Sequence, residues 1–196
     1  MKLQRTFILT LMCLFTMGLG IVGAAEPETV YPSPVRDVMA TTGEIIAVDG
    51  DKVTVKGDGN YPVATVIVTD KTLLLDGKDG DIKSDRALRT GRKVTAYYSS
   101  RMTRSYPPQA EGFAIVFGKT SDKQGKYMHV EQVTPGEDGE SVRLLNSNRD
   151  IIVTVSKDVY EDYQNIQAGD RIIAWYNIMT MSLPGQTNAS KIVVLH

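Results

Sequence analysis

The chain has 196 residues, 42% of them hydrophobic, and a formal net charge of −1 at pH 7. It lacks the strongly basic field that dominates nucleic-acid affinity, so we predict no nucleic acid among its partners. Cys13 is the only cysteine and lies in an N-terminal apolar run, so the rest of the chain has no disulfide framework and no thiol chemistry.

Residues 1–25 have the layout of a secretory signal peptide. Lys2 and Arg5 form a short basic segment, residues 7–22 are uncharged and largely apolar, and small residues follow. We expect cleavage after Ala24 or Ala25 and hence an exported protein, in the periplasm, in the cell envelope or outside the cell. An uncleaved anchor is the alternative, because about 20 apolar residues can cross a bilayer. No later run is long enough, so we predict no transmembrane segment in the mature chain.

Residues 26–41 carry three prolines with no clear period, which predicts a linker. The pattern of residues 42–118 then indicates β structure. Asp49-Gly50 is a hairpin turn, period-two alternation follows it, and a glycine-rich excursion comes after Leu75. Residues 71–75 either continue a strand or bend into the next edge. We predict strands at 43–48, 52–56, 64–69, 92–98 and 112–117, and a short helix at 84–88.

Residues 126–196 replay this pattern after a polar boundary at 118–125, without the glycine-rich excursion. Gly91 lies 78 residues before Gly169, and beyond an aromatic pair in each copy the offset becomes 77. We predict strands at 127–133, 141–145, 150–155, 171–177 and 188–195, and a short turn or helix at 162–168.

Two units of about five short strands and one helical turn suit small OB-type barrels. The sequence therefore predicts an all-β fold of two tandem OB-like barrels, residues 42–118 and 126–196, after a signal peptide. One β-sandwich sharing all strands is the alternative. Because small units bury little surface, we expect the two barrels to pack on each other.

In the predicted strands 92–98 and 171–177, side chains alternate between the two faces, which assigns one face of each strand to the core. The predicted inward sets are Val94, Ala96 and Tyr98 in the first unit and Ile172, Ala174 and Tyr176 in the second, with Tyr97 and Trp175 on the opposite face.

The stretch that follows this strand, Met102–Gln109, recurs as Met179–Gln186. It is a candidate crossover in which prolines stiffen the loop and the glutamine amide satisfies backbone groups, with the aromatic residues packing there. Gly185 replaces the second proline, which predicts a looser second loop. The candidate binding residues are Tyr97, Met102, Arg104, Tyr106, Gln109, Trp175, Met179, Met181 and Gln186.

Catalytic patterns are missing from the sequence. His129 lies in a predicted strand, and no nucleophile elbow, zinc-binding helix or phosphate loop is present. The acidic residues concentrate in turns, where Asp favours the backbone geometry. We therefore predict no enzyme, no metal and no cofactor.

Tandem β units ending in Tyr-Tyr-x-x-x-Met-Thr-x-Ser-x-Pro-Pro-Gln resemble small exported bacterial domains of unassigned function. The resemblance covers both units and brings no activity with it. It fits a non-enzymatic binding or scaffolding module of the cell envelope, with another envelope protein or a polymer as partner.

The segment from Trp175 to Met181 is similar to the Trp-Pro-x-Met-Thr-Met element of the periplasmic copper(I) chaperone barrel, also of OB type. In a strand, Met179 and Met181 share one face, and thioethers are soft ligands that select Cu(I). The spacing is one residue longer here, no histidine stands shortly upstream, and the first copy has Arg104 in place of the second methionine. A periplasmic Cu(I)-binding protein is the alternative function.

Overall fold

A computed structural model of the chain describes residues 38–118 and 125–195, which form an all-β fold of two barrel-like units, as predicted. The predicted signal peptide, 1–25, and residues 26–37 of the predicted linker lie outside the described residues. The strands in chain order are β1 Val38–Asp49, β2 Lys52–Gly59, β3 Val63–Ile67, β4 Leu73–Asp76, β5 Lys93–Ser99, β6 Gln109–Phe117, β7 Lys126–Pro135, β8 Ser141–Asn146, β9 Ile151–Ser156, β10 Arg171–Trp175, β11 Gly185–Asn188 and β12 Lys191–Leu195.

The first barrel is a closed ring of five strands. The long strand β1 pairs antiparallel with both β2 and β5, and β3 pairs antiparallel with β2. The start of β6 runs parallel to β3, and the rest of β6 runs antiparallel to β5, which closes the ring. The short strand β4 lies outside the ring and runs parallel to the second half of β6. This extra strand comes from the predicted excursion and the residues just before it.

The second sheet has the same arrangement, with β7 between β8 and β10, but its last strand is broken in two. β11 runs parallel to β9, and β12 runs antiparallel to β10. Two hydrogen bonds span the break, from Ala189 N to Thr154 O (2.9 Å) and from Ser190 N to Trp175 O (2.7 Å). The single closing strand predicted at 188–195 is therefore wrong, because the chain leaves one neighbour and joins another at Ala189.

Each barrel has a core of its own, and the predicted inward faces are confirmed. Tyr98 is fully buried, and its hydroxyl lies 2.7 Å from the Thr41 hydroxyl. Burial raises the pKa of Tyr98, and the hydrogen bond to Thr41 opposes that shift. The confirmed inward residues are Val94, Ala96 and Tyr98 in one core and Ile172, Ala174 and Tyr176 in the other.

A third apolar cluster joins the barrels, so the expectation that they pack together is confirmed. Its buried residues come from the outward faces of strands in both barrels. Burying a large apolar side chain fully stabilises a fold by about 1.5–3 kcal/mol. This contact therefore contributes substantially to the stability of the folded chain. The buried members are Leu75, Ala114 and Val116 from the first barrel and Ile173, Trp175 and Leu195 from the second.

Other boundaries also differ from the sequence predictions. The linker predicted at 26–41 is wrong for residues 38–41, because β1 begins at Val38 and pairs there with Ser99. The two helical segments are single 3-10 turns, Asp85–Ala87 and Tyr163–Asn165. No strand of 38–118 pairs with a strand of 125–195, which argues against one shared sandwich. In these same two ranges, no helix has the length and apolar character needed to cross a membrane.

Candidate functional site

The two copies of the repeated stretch fold into loops closed by the same hydrogen bonds. In the first, Thr103 N donates to Gln109 O (2.9 Å), and Gln109 N donates to the Thr103 hydroxyl (2.9 Å). In the second, Thr180 N donates to Gln186 O (2.9 Å), and Gln186 N donates to the Thr180 hydroxyl (2.8 Å). The threonine and the glutamine backbone therefore pin the two ends of each loop together.

A serine extends this network inside each loop. Ser105 Oγ lies 2.7 Å from the threonine hydroxyl and donates to Pro107 O at 3.0 Å. Ser182 Oγ lies 2.7 Å from its threonine and donates to Pro184 O at 2.8 Å. Since a hydroxyl carries one proton, the bonds run in one direction, from the glutamine N–H through threonine and serine to the proline carbonyl. Such chains polarise one another, so each loop is held as a unit.

Two of the three positions that differ between the copies are exposed, and the third, Pro108 in the first copy and Gly185 in the second, is buried. Tyr106 is 83% exposed, and its counterpart Leu183 is 86% exposed. Arg104 is also exposed, and Met181 at the same place is completely exposed. Both loops thus have the same hydrogen-bonded frame, and the side chains at these two exposed positions differ between them.

The second loop presents an apolar surface. Ile178 and Met179 are exposed beside Met181 and Leu183, and no charged residue occurs from Asn177 to Gln186. The first loop instead places the exposed cations Arg101 and Arg104 beside Tyr106. Exposed apolar side chains are ordinary when they are scattered, whereas contiguous apolar patches are a feature of interaction surfaces.

A groove of about 510 Å³ lies between this second loop and strands β9 and β11. Gln186 closes one part of it, where its amide oxygen accepts from Arg143 at 3.3 Å. The Asn177 and Asn188 amides make no hydrogen bond to the described part of the chain, so both are available to a ligand. The lining residues carry no charge and are Thr154, Asn177, Ile178, Thr180, Gln186, Thr187, Asn188 and Ser190.

Trp175, a predicted site residue, lies between the barrels and away from the loop surface. It is 2% exposed, and its indole N–H donates to Gly77 O of the first barrel at 2.9 Å. Two glycines make room for the ring: a Cβ on Gly80 would lie 2.9 Å from it, and a Cβ on Gly125 would lie 2.4 Å from it. The indole is therefore enclosed by backbone and serves the contact between the barrels.

Tyr97, at the position equivalent to Trp175, also lies in this contact. Its ring stacks on Tyr127 with 5.5 Å between centroids, and burial raises the pKa of Tyr97. The other predicted residues belong to the loops or their ends. Met102 packs against the first core, and Gln109 is the first residue of β6. The sequence had placed both aromatic residues at the loops, because an outward face looks the same whether solvent or another barrel covers it.

The three residues of the copper interpretation have different surroundings in the structure. The stretch from Asn177 to Pro184 is not the strand predicted, because it contains only an isolated bridge between Met179 and Thr187. The Met179 sulfur lies against Gly185, where a Cβ would approach it to 2.8 Å. Met181 is fully exposed, whereas Trp175 is enclosed. Trp175 therefore lies apart from the exposed Met181, and Cu(I) binding by the two methionines stays a prediction.

The excursion after β4 takes part in the contact between the barrels, a role that the sequence analysis did not predict. Asp76 accepts from Lys78 N (2.9 Å) and lies 3.1 Å from the Lys83 ammonium, and these contacts lower the pKa of its carboxyl, the first most strongly. Asp81 pairs with Lys191 of the second barrel at 2.9 Å. The signal was present in the sequence: the copy with the glycine-rich insertion lacks the tryptophan, and the copy with the tryptophan lacks the insertion.

No family model matches the chain, and no curated protein is similar to it. Among solved structures, it is similar to a multidomain protein with nucleic acid binding domains from Streptococcus pneumoniae TIGR4, with 12% sequence identity and a TM-score of 0.25. That match covers 77% of this chain, and the chain spans half the length of the other protein.

Proposed function

We propose that the protein is a non-enzymatic binding module, exported to the cell envelope, that presents its second repeated loop and the adjoining groove to another envelope protein or a polymer. The observation that carries this proposal is the contrast inside the loop. The threonine, serine and glutamine that recur in both copies form the hydrogen-bonded frame, and the fully solvent-facing positions of Met181 and Leu183 carry side chains that differ from those of the first copy.

A loop held in this way suits binding for an energetic reason. Ordering a flexible loop on association costs free energy, and a loop already ordered by its own hydrogen bonds avoids most of that cost. Ile178, Met181 and Leu183 can then be buried by a partner without rearrangement of the backbone that carries them. Removing their apolar surface from water supplies the driving force.

The position of the loop in the barrel supports the same function. Barrels of the OB type bind their ligands with the face of the second and third strands and with the loop before the last strand. The second loop joins β10 to β11, and its groove is lined by Thr154 of β9, the third strand of this barrel. This support is an analogy at the level of the fold.

Photo-crosslinking in the native host tests the proposal. A crosslinking residue in place of Leu183 should yield discrete adducts with an envelope component. The matched control is Ile46, which is also apolar and 42% exposed but lies in β1 away from either loop. Tyr106 tests whether the first loop shares the partner. Equal adducts from Leu183 and Ile46, or none from Leu183, would contradict the proposal.

A further inference from the structure

The second barrel has a sheet edge that the first barrel covers with a strand. In the first barrel, β6 pairs with β5 on one side and with β4 on the other, from Leu73↔Ala114 to Asp76↔Phe117. The equivalent strand β12 pairs with β10 alone among the described strands. Backbone groups on the free side of β12 therefore have no strand beside them within 38–118 and 125–195.

Side-chain burial reflects this difference. Val116 and Phe117 on β6 are 1% and 2% exposed, whereas Val193 and Val194 at the equivalent places on β12 are only half-buried. The cause is the length of the preceding connection. Residues 68–84 join β3 to its 3-10 turn and contain β4, whereas residues 157–162 join β9 to the corresponding turn and are too few to add a strand.

The edge also lacks the usual protection against pairing. Proteins blunt exposed edges with charges, prolines or bulges. Lys191 is the only charged residue of β12, and it is held by Asp81 of the first barrel. From Ile192 to Leu195 the strand has neither a charge nor a proline. An edge of this kind readily accepts another strand.

We propose that β12 takes up an extended apolar segment of another polypeptide, added in the parallel orientation that β4 has on β6. β4 shows the chemistry that such a position requires. Leu74 belongs to the first core, while Leu75 belongs to the contact between the barrels, so the added strand is apolar on both faces. Main-chain hydrogen bonds supply affinity and the alternate side chains supply specificity, as in other cases of strand addition. This site is independent of the loop and groove.

Hydrogen exchange on the full-length protein tests the proposal, with a synthetic peptide of residues 70–78 as the probe. The peptide should slow exchange of the β12 amides, 191–195, by about tenfold when present at ten times its dissociation constant. The amides of β6 should be unchanged, because β4 already covers that strand. The control peptide carries Leu74→Pro, which removes a donor and the extended geometry that pairing needs, and it should have no effect.

Three results would overturn the proposal. The first is unchanged exchange of residues 191–195 at saturating peptide, and the second is protection by the proline peptide equal to that by the original. The third is protection of β12 that rises with protein concentration when no peptide is present. That result would assign the edge to pairing between two copies of this chain.

Discussion

The two barrels share their inward faces and their loop frame, and they differ in what surrounds the strand before the loop. The first barrel has Tyr97 at this position and carries the excursion after β4, whereas the second has Trp175 and no excursion. The structure shows that these two differences are one feature, because the excursion of the first barrel encloses the tryptophan of the second.

A tandem repeat need not make a symmetric pair. Equivalent positions have different partners. Tyr97 stacks on Tyr127, whereas the Trp175 ring lies against the backbone of two glycines. Two of the differences between the copies lie at the contact between them and at the loop tips. The cores and the loop frames, which serve each barrel separately, stayed alike.

The largest expected effect is that of Trp175→Ala. It removes a buried indole and leaves Gly77 O without its donor, so we expect a loss of about 3–5 kcal/mol in the free energy of unfolding. The matched change Tyr97→Ala should cost less, because Tyr97 is only half-buried. Urea unfolding followed by far-UV circular dichroism measures both. Equal costs would mean that the contact between the barrels is symmetric after all.

Gly125→Ala should destabilise by about 1–3 kcal/mol, the range for overpacking a filled core. The added methyl would stand 2.4 Å from the Trp175 ring, so either the ring or the strand must move. A double-mutant cycle with Trp175→Leu isolates the cause, because a smaller side chain leaves room for the methyl. If the cost of Gly125→Ala stays the same in both backgrounds, the indole is not what the glycine accommodates.

Thr180→Val and Thr103→Val should each cost about 1 kcal/mol, the usual net contribution of a hydrogen bond. Valine keeps the branched shape and removes the hydroxyl that links the glutamine N–H to the serine. Urea unfolding checks the cost. Hydrogen exchange tests the separate prediction that the second loop is looser than the first. If it is, the backbone amide of Gln186 should exchange faster than that of Gln109. A clear inequality between the two valine variants would mean that the frames are not equivalent.

The smallest effect concerns the Asp76 charge. Because the folded-state pKa of Asp76 is lowered from 3.8, its contribution is present above that pH and is lost as the pH falls below it. Asp76→Asn keeps an acceptor for Lys78 N and removes the charge that faces Lys83. We expect a cost below about 1 kcal/mol at pH 7, which disappears in acid. A cost that is the same at pH 7 and pH 2.5 in urea unfolding would rule out the charge as its source.

The sequence predicted what depends on local pattern. Period-two alternation and turn residues predicted most strands and both inward faces, and the repeat predicted two units. The inward orientation of Val94 and Ile172 follows from side-chain alternation within each strand, so one sequence was enough to predict it.

The contacts between the barrels could not be predicted in the same way. An apolar residue on an outward face, such as Ile173 or Trp175, has the same local pattern whether a partner barrel, a loop or solvent lies beyond it. β4 was ambiguous for a related reason, because Leu73 to Leu75 lack alternation when both faces are covered. For the candidate site, the repeat located the loops. Only the hydrogen bonds showed which of their residues form the frame and which are presented to solvent.

The enclosed tryptophan has a consequence for biosynthesis. Gly77 and Trp175 are separated by 98 positions along the chain. β6, the last strand of the first barrel, ends at Phe117. At the usual rate of synthesis of about 5–20 residues per second, the first barrel is therefore complete roughly 3–12 seconds before the ring that its excursion encloses has been made. During that interval the residues of the second barrel that bury Leu75 and Val116 in the folded protein have not yet been made. A nascent chain of this protein therefore exposes an apolar surface until β10 and β12 have been made and cover it.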